Sequence, residues 1–296
     1  MELRVLKYFL IVAQEENFTR AAEKLHLSQP TLSRQLRDLE EEYGKQLLIR
    51  GARHVTLTQD GLLLRKRAEE ILSLVAKTES ELLSTEDAIS GEIRIGAGES
   101  INFQLIMQAA AEFRQKHPAI RFHIITGDGS SNLYMLDRGL IDFAYDYGRH
   151  DPSRYQELAL PVRDRWGVLL RKDDALAQNQ AIRASDLLLK PLIISRQVLN
   201  DTTHGEALLQ WLAKQQEELT IAGSYNLIFN ASLMVEAGLG YALAFTDIIN
   251  TQGSDLCFRP LEPPVYTQPN IFWKRSQFFS PASKLFLDLL LEKFSC

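Results

Sequence analysis

The stretch NFTRAAEKLHLSQPTLSRQLRDLEEEYG, residues 17–44, reads as two short helices joined by a tight turn. Thr19 is placed to cap a helix over residues 20–25, and Ala21 and Ala22 are small enough to let another helix cross closely. His26 and Leu27 make the turn. Ser28 then caps a third helix, with Pro30 in its first turn, where a missing N–H has no intrahelical partner to lose. At about 100° per residue, Leu32, Leu36, Leu39 and Tyr43 gather on one side, and Pro30, Ser33, Arg34 and Arg37 on the other. Gly44 ends the helix in the manner of a left-handed cap. One face is core. The opposite face offers hydroxyl and guanidinium donors near its N-terminal end, where a recognition helix meets base edges. Arg34 and Arg37 have a plainer alternative, pairing with Asp38 and Glu41 as on any solvated helix.

On either side of this stretch the pattern is consistent. Leu3, Leu6, Phe9, Leu10 and Ala13 recur at helical spacing and predict a first helix with one buried face. After Gly44, the strand-like runs LLIR (47–50) and HVTL (54–57) flank Gly51-Ala52-Arg53. They predict a hairpin wing carrying Arg50, Arg53 and His54, groups suited to a phosphate backbone. The order helix, TRAAxxL, SQPTLSRQLRxLE, LLIR, then LTQDG resembles the N-terminal domain of LysR-type transcriptional regulators over residues 18–61. Leu48-Ile49 stands where Phe-x is commoner in the wing, and Gln59-Asp60 where Glu-Ala is commoner before Gly61. The resemblance implies that Gln29, Pro30, Thr31, Ser33 and Arg34 face the groove of double-stranded DNA, with Arg53 on the backbone. Arg37 and Arg50 join that set from the helix face and the wing.

The charge balance raises a difficulty, because the chain has 33 Lys and Arg against 38 Asp and Glu, a net charge of −5. Residues 1–66, however, hold 11 basic and 9 acidic side chains, so the acidity belongs to the distal part. From Thr58, a predicted N-cap, a helical pattern runs to about residue 84 with Leu64, Ala68, Ile71, Val75, Thr78 and Leu82 at alternating spacings of four and three. Such a seam needs a partner. That partner is either the chain's own distal part or a second copy, and the resemblance favours an antiparallel pair of linker helices. A pair doubles the local positive charge, while a distal acidic body beyond a Debye length of about 8–10 Å is screened.

Beyond the polar residues 85–92, strands alternate with helices, which predicts α/β layers. The expected fold is therefore α+β and multi-domain: a winged helix-turn-helix over 1–58, a linker and dimerisation helix over 59–90, and an effector-binding domain over 91–296. By resemblance the last has two lobes like those of periplasmic binding proteins, one of about 91–161 with 267–296 and one of about 162–266. Weak family signatures lie in RGLIDFA (138–144) and VEAGLGYAL (235–243). Ligands of open α/β sheets sit beyond the carboxyl ends of strands, beside helix N-termini. By resemblance Ser100, Asn102, Gly127, Asp128, Ser195, Phe245 and Thr246 line the inter-lobe cleft, although Ser100 and Ser130 equally suit helix caps. Glu99 and Asp128 oppose a di-anionic ligand and point to an effector with an amine or few charges.

Other chemistry lacks its residues. The six histidines show no metal-ligand spacing, so no metal and no cofactor are expected. Ser195 has no G-x-S-x-G frame and no glycine-rich phosphate loop precedes a helix, so an enzyme is not expected. The two cysteines, Cys257 and Cys296, form no C-x-x-C and fit a reducing cytoplasm. No apolar run approaches membrane-span length. The expected partners are promoter DNA, a small-molecule effector, a second or third and fourth copy of the chain, and RNA polymerase. The alternatives are a metabolite-binding or enzymatic α/β protein with an unrelated N-terminal module, and an architectural DNA binder needing no cleft.

Overall fold

A computed structural model describes residues 1–51, 54–82, 90–200, 202–212 and 219–295. Arg53, the distal end of the linker (83–89), the predicted extension of a helix to Gln216, and Cys296 lie outside the described residues. The chain divides into two compact units, Met1–Leu83 and Ser84–Cys296.

The first unit begins with α1 (Leu3–Glu15), α2 (Phe18–Lys24) and α3 (Gln29–Tyr43), followed by β1 (Leu48–Arg50), β2 (Val55–Leu57) and the long α4 (Gln59–Leu82). Phe9, Val12, Ala21, Ala22, Leu32 and Leu36 are almost fully buried together, so the small alanines do let the helices cross closely. The N-cap of α2 is Asn17 rather than Thr19: its Oδ1 accepts from the backbone N–H of Thr19 and of Arg20, at 2.9 and 3.1 Å. Asn17 reaches these two donors from two residues earlier, and Thr19 becomes part of the helix. His26 sits in the turn with φ +54°, and Gly44 closes α3 at φ +59°, both left-handed as a helix end requires. Tyr43, placed on the core face by spacing, is half exposed, because it occupies the last turn of α3 beyond the packed leucines. β1 and β2 pair antiparallel, Leu48 opposite Leu57 and Arg50 opposite Val55. Thr58 caps α4 as expected, its Oγ1 accepting from the Gly61 N–H at 3.0 Å while donating to the Gln46 carbonyl at 2.7 Å. Gly61 is demanded by packing, since a Cβ there would lie 2.1 Å from the Leu47 carbonyl oxygen.

The second unit holds two sheets. In the first, β3 (Gly91–Ala97), β4 (Ile120–Thr126) and β5 (Phe143–Asp146) are mutually parallel through β3, and β14 (Asn270–Lys274) returns antiparallel between β5 and β6 (Tyr155–Ala159). Helices α5 (Gln104–Lys116), α6 (Gly129–Asp137) and α10 (Pro281–Phe294) belong to this lobe. Phe113, Phe122, Phe143 and Phe286 meet edge-to-face at its core. The second sheet is ordered β10 (Thr220–Tyr225), β9 (Pro191–Ser195), β11 (Tyr241–Phe245), β7 (Asp164–Arg171), β12 (Leu256–Glu262), β8 (Ile182–Arg183), with β13 (Tyr266–Thr267) added on β7. Its helices are α7 (Arg196–Asn200), α8 (Thr202–Leu212) and α9 (Ile228–Glu236). The chain passes between the sheets after Ala159 and again after Thr267. Thr267 itself still pairs with Asp164 in the second sheet.

Candidate nucleic-acid interface and inter-lobe cleft

On α3, Ser28 Oγ accepts the Thr31 N–H at 3.3 Å and touches Thr31 Oγ1 at 2.7 Å, which fixes the start of the helix. Gln29, Pro30, Thr31, Arg34 and Arg37 are all exposed, opposite buried Leu32, Leu36 and Leu39. Among the described residues Arg34 and Arg37 form no ion pair or hydrogen bond, so the alternative pairing with Asp38 and Glu41 is not adopted. They present two guanidinium groups beside the helix start.

Ser33 and Arg50 do something else. Arg50 donates to Ser33 Oγ at 2.9 Å and to Glu40 Oε2 at 3.1 Å, and its guanidinium lies 5.1 Å from the Phe18 ring centroid. The other Glu40 oxygen accepts the Leu47 and Leu48 N–H groups at 2.8 and 3.0 Å. Arg50 therefore fastens the wing to α3 through two of its N–H donors, while its side chain remains partly exposed and the Ser33 hydroxyl, an acceptor in this bond, keeps its own proton to donate. The wing's sequence could not show this, because Glu40 and Ser33 arrive from another element.

The helix seam also differs from its sequence assignment. Ala68 is fully buried within its own unit and Leu64 packs on the same core as α1, because the first turns of α4 lie against that helix. Ala68 is thus closed to a second copy, while Leu64 keeps part of its surface exposed. The exposed apolar side chains of α4 are Leu62, Leu63, Leu74 and Leu82, with Ile71 and Val75 half-buried. The open stripe is thus rotated from the predicted one and includes Leu63 and Leu74.

In the second unit a cavity lies between the carboxyl ends of the two sheets. Gly127, Ser195 and Phe245 line it as predicted, joined by Glu99, Tyr147, Trp166 and Tyr225. The volume open to the centres of water-sized molecules is about 60 Å³, enough for a small ligand. The other candidates are placed differently. Asp128 caps α6, taking the Ser131 N–H at 2.9 Å and the hydroxyls of Ser130 and Ser131 at 3.0 and 2.5 Å, and it pairs with Arg196 at 3.0 Å. Three of those bonds fall on Oδ1, and Oδ2 takes only the one from Arg196. Thr246 donates its N–H to the Arg165 carbonyl at 2.8 Å, and its methyl lies over Gly167.

Ser100 caps the turn that leads into α5, accepting the Asn102 N–H at 2.9 Å. Its hydroxyl also donates to Asp164 Oδ1 at 2.9 Å and receives the Tyr145 hydroxyl at 3.0 Å, while Tyr147 donates to Asp164 Oδ2 at 2.9 Å. Ser100 thus belongs to a network centred on Asp164, which sequence reasoning missed, and the residues lining the cavity include neither Ser100 nor Asn102. Nothing in the sequence joins positions 64 residues apart. Burial pushes the Asp164 carboxyl above its usual range, against the hydrogen bonds from Ser100 and Tyr147. Burial also raises Glu99, against the Ile228 N–H that it accepts.

Asp128 behaves oppositely: burial raises it, but Ser131, Arg196 and Ser130 together hold it at about 2 against an ordinary 3.8. A folded-state pKa below the unfolded one stabilises above pH 3.8 and ceases to do so as pH falls through about 2. Thermal melts of Asp128→Asn and the parent chain should therefore differ most at neutral pH and converge as pH falls toward 2. A constant difference across that range would remove this role.

Comparison with known proteins gives the same division of the chain. A family model described as "Bacterial regulatory helix-turn-helix protein, lysR family" matches residues 3–62, and one described as "LysR substrate binding domain" matches residues 86–295. The HTH-type transcriptional regulator BenM of Acinetobacter baylyi is 32% identical, over 89% of this chain and 86% of its own. The Hca operon transcriptional activator HcaR of Escherichia coli is 30% identical, over 99% and 98%. Among solved structures, CbnR, a LysR family transcriptional regulator, superposes with a TM-score of 0.79 at 17% identity, covering 99% of each chain. Full-length CbnR complexed with its target DNA gives 0.76 at 18% identity, again over 99% of each chain.

Proposed function

The chain belongs to the LysR family of bacterial helix-turn-helix regulators, and from that premise we propose that it controls transcription by binding promoter DNA under the command of a small-molecule effector. Residues 1–58 read double-stranded DNA with Gln29, Pro30, Thr31, Arg34 and Arg37, while Arg53 of the wing contacts the backbone. Residues 59–90 pair two copies through the Ile71, Leu74, Val75 and Leu82 side of α4, giving a homodimer or, by further association, a homotetramer. Residues 91–296 hold the effector in the cavity lined by Gly127, Ser195 and Phe245. An effector that binds one arrangement of the lobes more tightly shifts the population towards it. RNA polymerase is the remaining partner, reached at the promoter, and DNA as ligand puts the protein in the cytoplasm. No helix among the described residues is long and apolar enough to cross a membrane.

The observation that carries this reading is the exposed α3 face, whose Arg34 and Arg37 have no acidic partner among the described residues. Fluorescence anisotropy on the DNA upstream of the coding sequence, at two salt concentrations, tests it. Affinity should fall steeply with salt, by a log–log slope of about −0.9 per phosphate neutralised. Arg34→Ala should lose about 1–3 kcal/mol of discrimination between that DNA and random DNA. Equal weakening on both would move Arg34 to the backbone. Turnover of a metabolite without DNA affinity would favour an enzyme instead.

A further inference from the structure

The walls of the cavity carry a chemical preference. Two acidic side chains, Glu99 and Asp146, line it, and among the described residues no Lys or Arg does. Arg196, next in sequence to lining Ser195, turns to Asp128 instead. Asp146 is buried with the His150 ring nitrogen 3.3 Å from its carboxylate. Glu99 has no cationic partner among the described residues. Its one hydrogen bond comes from the N–H of Ile228, at the start of α9, whose N-cap residue Leu227 supplies no side-chain cap of its own. A lobe I carboxylate thus reaches across to a lobe II helix.

Aromatic side chains from both lobes line the same cavity. The Tyr147 and Phe245 ring centroids are 4.8 Å apart and those of Trp166 and Phe245 4.4 Å apart. Tyr225 completes the enclosure and is anchored by donating to the Leu243 carbonyl at 2.8 Å. Aromatic faces attract a cation through the ring quadrupole, and most strongly when water is excluded. A half-buried carboxylate without a counter-ion gains from the same guest.

Resting on the reading of this cavity as the effector site, we propose that the effector is a small organic cation, an alkyl or methylated ammonium, held by Glu99 and enclosed by Tyr147, Trp166, Tyr225 and Phe245. Burial already raises the Glu99 carboxyl, and an ammonium guest relieves that strain on its charge. The guest also competes with the Ile228 N–H for the same oxygen, which couples occupancy to the contact between the lobes. An anionic guest could use the α9 N-terminus only by displacing Glu99, and would then face Asp146 as well.

The test uses the full-length chain with butylammonium, tetramethylammonium, 1-butanol and butyrate, each titrated by calorimetry and by thermal shift. The ammonium probes should bind and stabilise while butanol and butyrate do not. Glu99→Gln, nearly isosteric, should weaken ammonium binding by about tenfold or more with the far-UV spectrum unchanged. Phe245→Leu should weaken it too. Butyrate binding that Phe245→Leu removes would overturn the cationic class while leaving the cleft as the effector site. Ammonium binding indifferent to both substitutions would overturn the class and the cleft together. No response to either ammonium probe at millimolar concentration would overturn the class as well.

Discussion

A full-length chain carrying Glu40→Ala is expected to lose about 3 kcal/mol or more from the stability of its N-terminal unit. The reason is the number of groups that depend on one carboxylate. One Glu40 oxygen accepts the N–H groups of Leu47 and Leu48, and the other holds Arg50. Both leucines are nearly buried, so truncation leaves two backbone donors away from water and removes the anion beside a half-buried guanidinium. Hydrogen exchange resolved by peptide would locate the loss in residues 40–57 first. Glu40→Gln should recover part of the stability, since its amide oxygen can still accept one of the bonds. Unchanged protection at Leu47 and Leu48 in the alanine variant would show that the carboxylate does not organise the wing.

The second large effect concerns pairing. Replacing Ile71 and Leu74 together by Glu should convert the purified protein to a monomer in sedimentation equilibrium. Leu74 is already exposed in the single chain and Ile71 half-buried, so the charges are tolerated by the fold but not by a second copy. Each subunit would bring two carboxylates into an apolar seam, against matching carboxylates of its partner. Loss of the second reading head should weaken binding to a two-half-site duplex by about a hundredfold or more, since the linkage that makes the second contact intramolecular is gone. An unchanged mass would place the pairing surface elsewhere on the molecule.

The division between what the sequence reveals and what it hides follows the range of each interaction. Ser28, Gly44 and Thr58 are legible because a cap acts on backbone groups within three or four residues, N–H donors at a helix start and carbonyl acceptors at its end. The polar face of α3 is legible for the same reason, since a helix period fixes it. Strands β6, β12 and β14 escape a reading by alternation. β12 carries Pro260 within the strand, and β14 buries Ile271, Phe272 and Trp273 in one unalternating run between polar ends. The roles of Arg50 and Asp164 depend on residues 10 and 64 positions away, so their sequence neighbourhoods say only that a charge is present. Arg50 then reads only as a phosphate contact although it also clasps the wing to α3, and Asp164 goes unnoticed although it anchors the network that joins Ser100 and Tyr147. Ala68 shows a related ambiguity, because an apolar seam records burial without saying whose surface buries it.

An acidic protein that grips DNA must do so through a local surface presented more than once. Its most direct test is the mass, by light scattering after chromatography, of the complex formed with the DNA upstream of its coding sequence in dilute salt. Two or four chains per duplex, dissociating as salt is raised, is the expected result. A single chain per duplex, or no complex even at the lowest ionic strength, contradicts it.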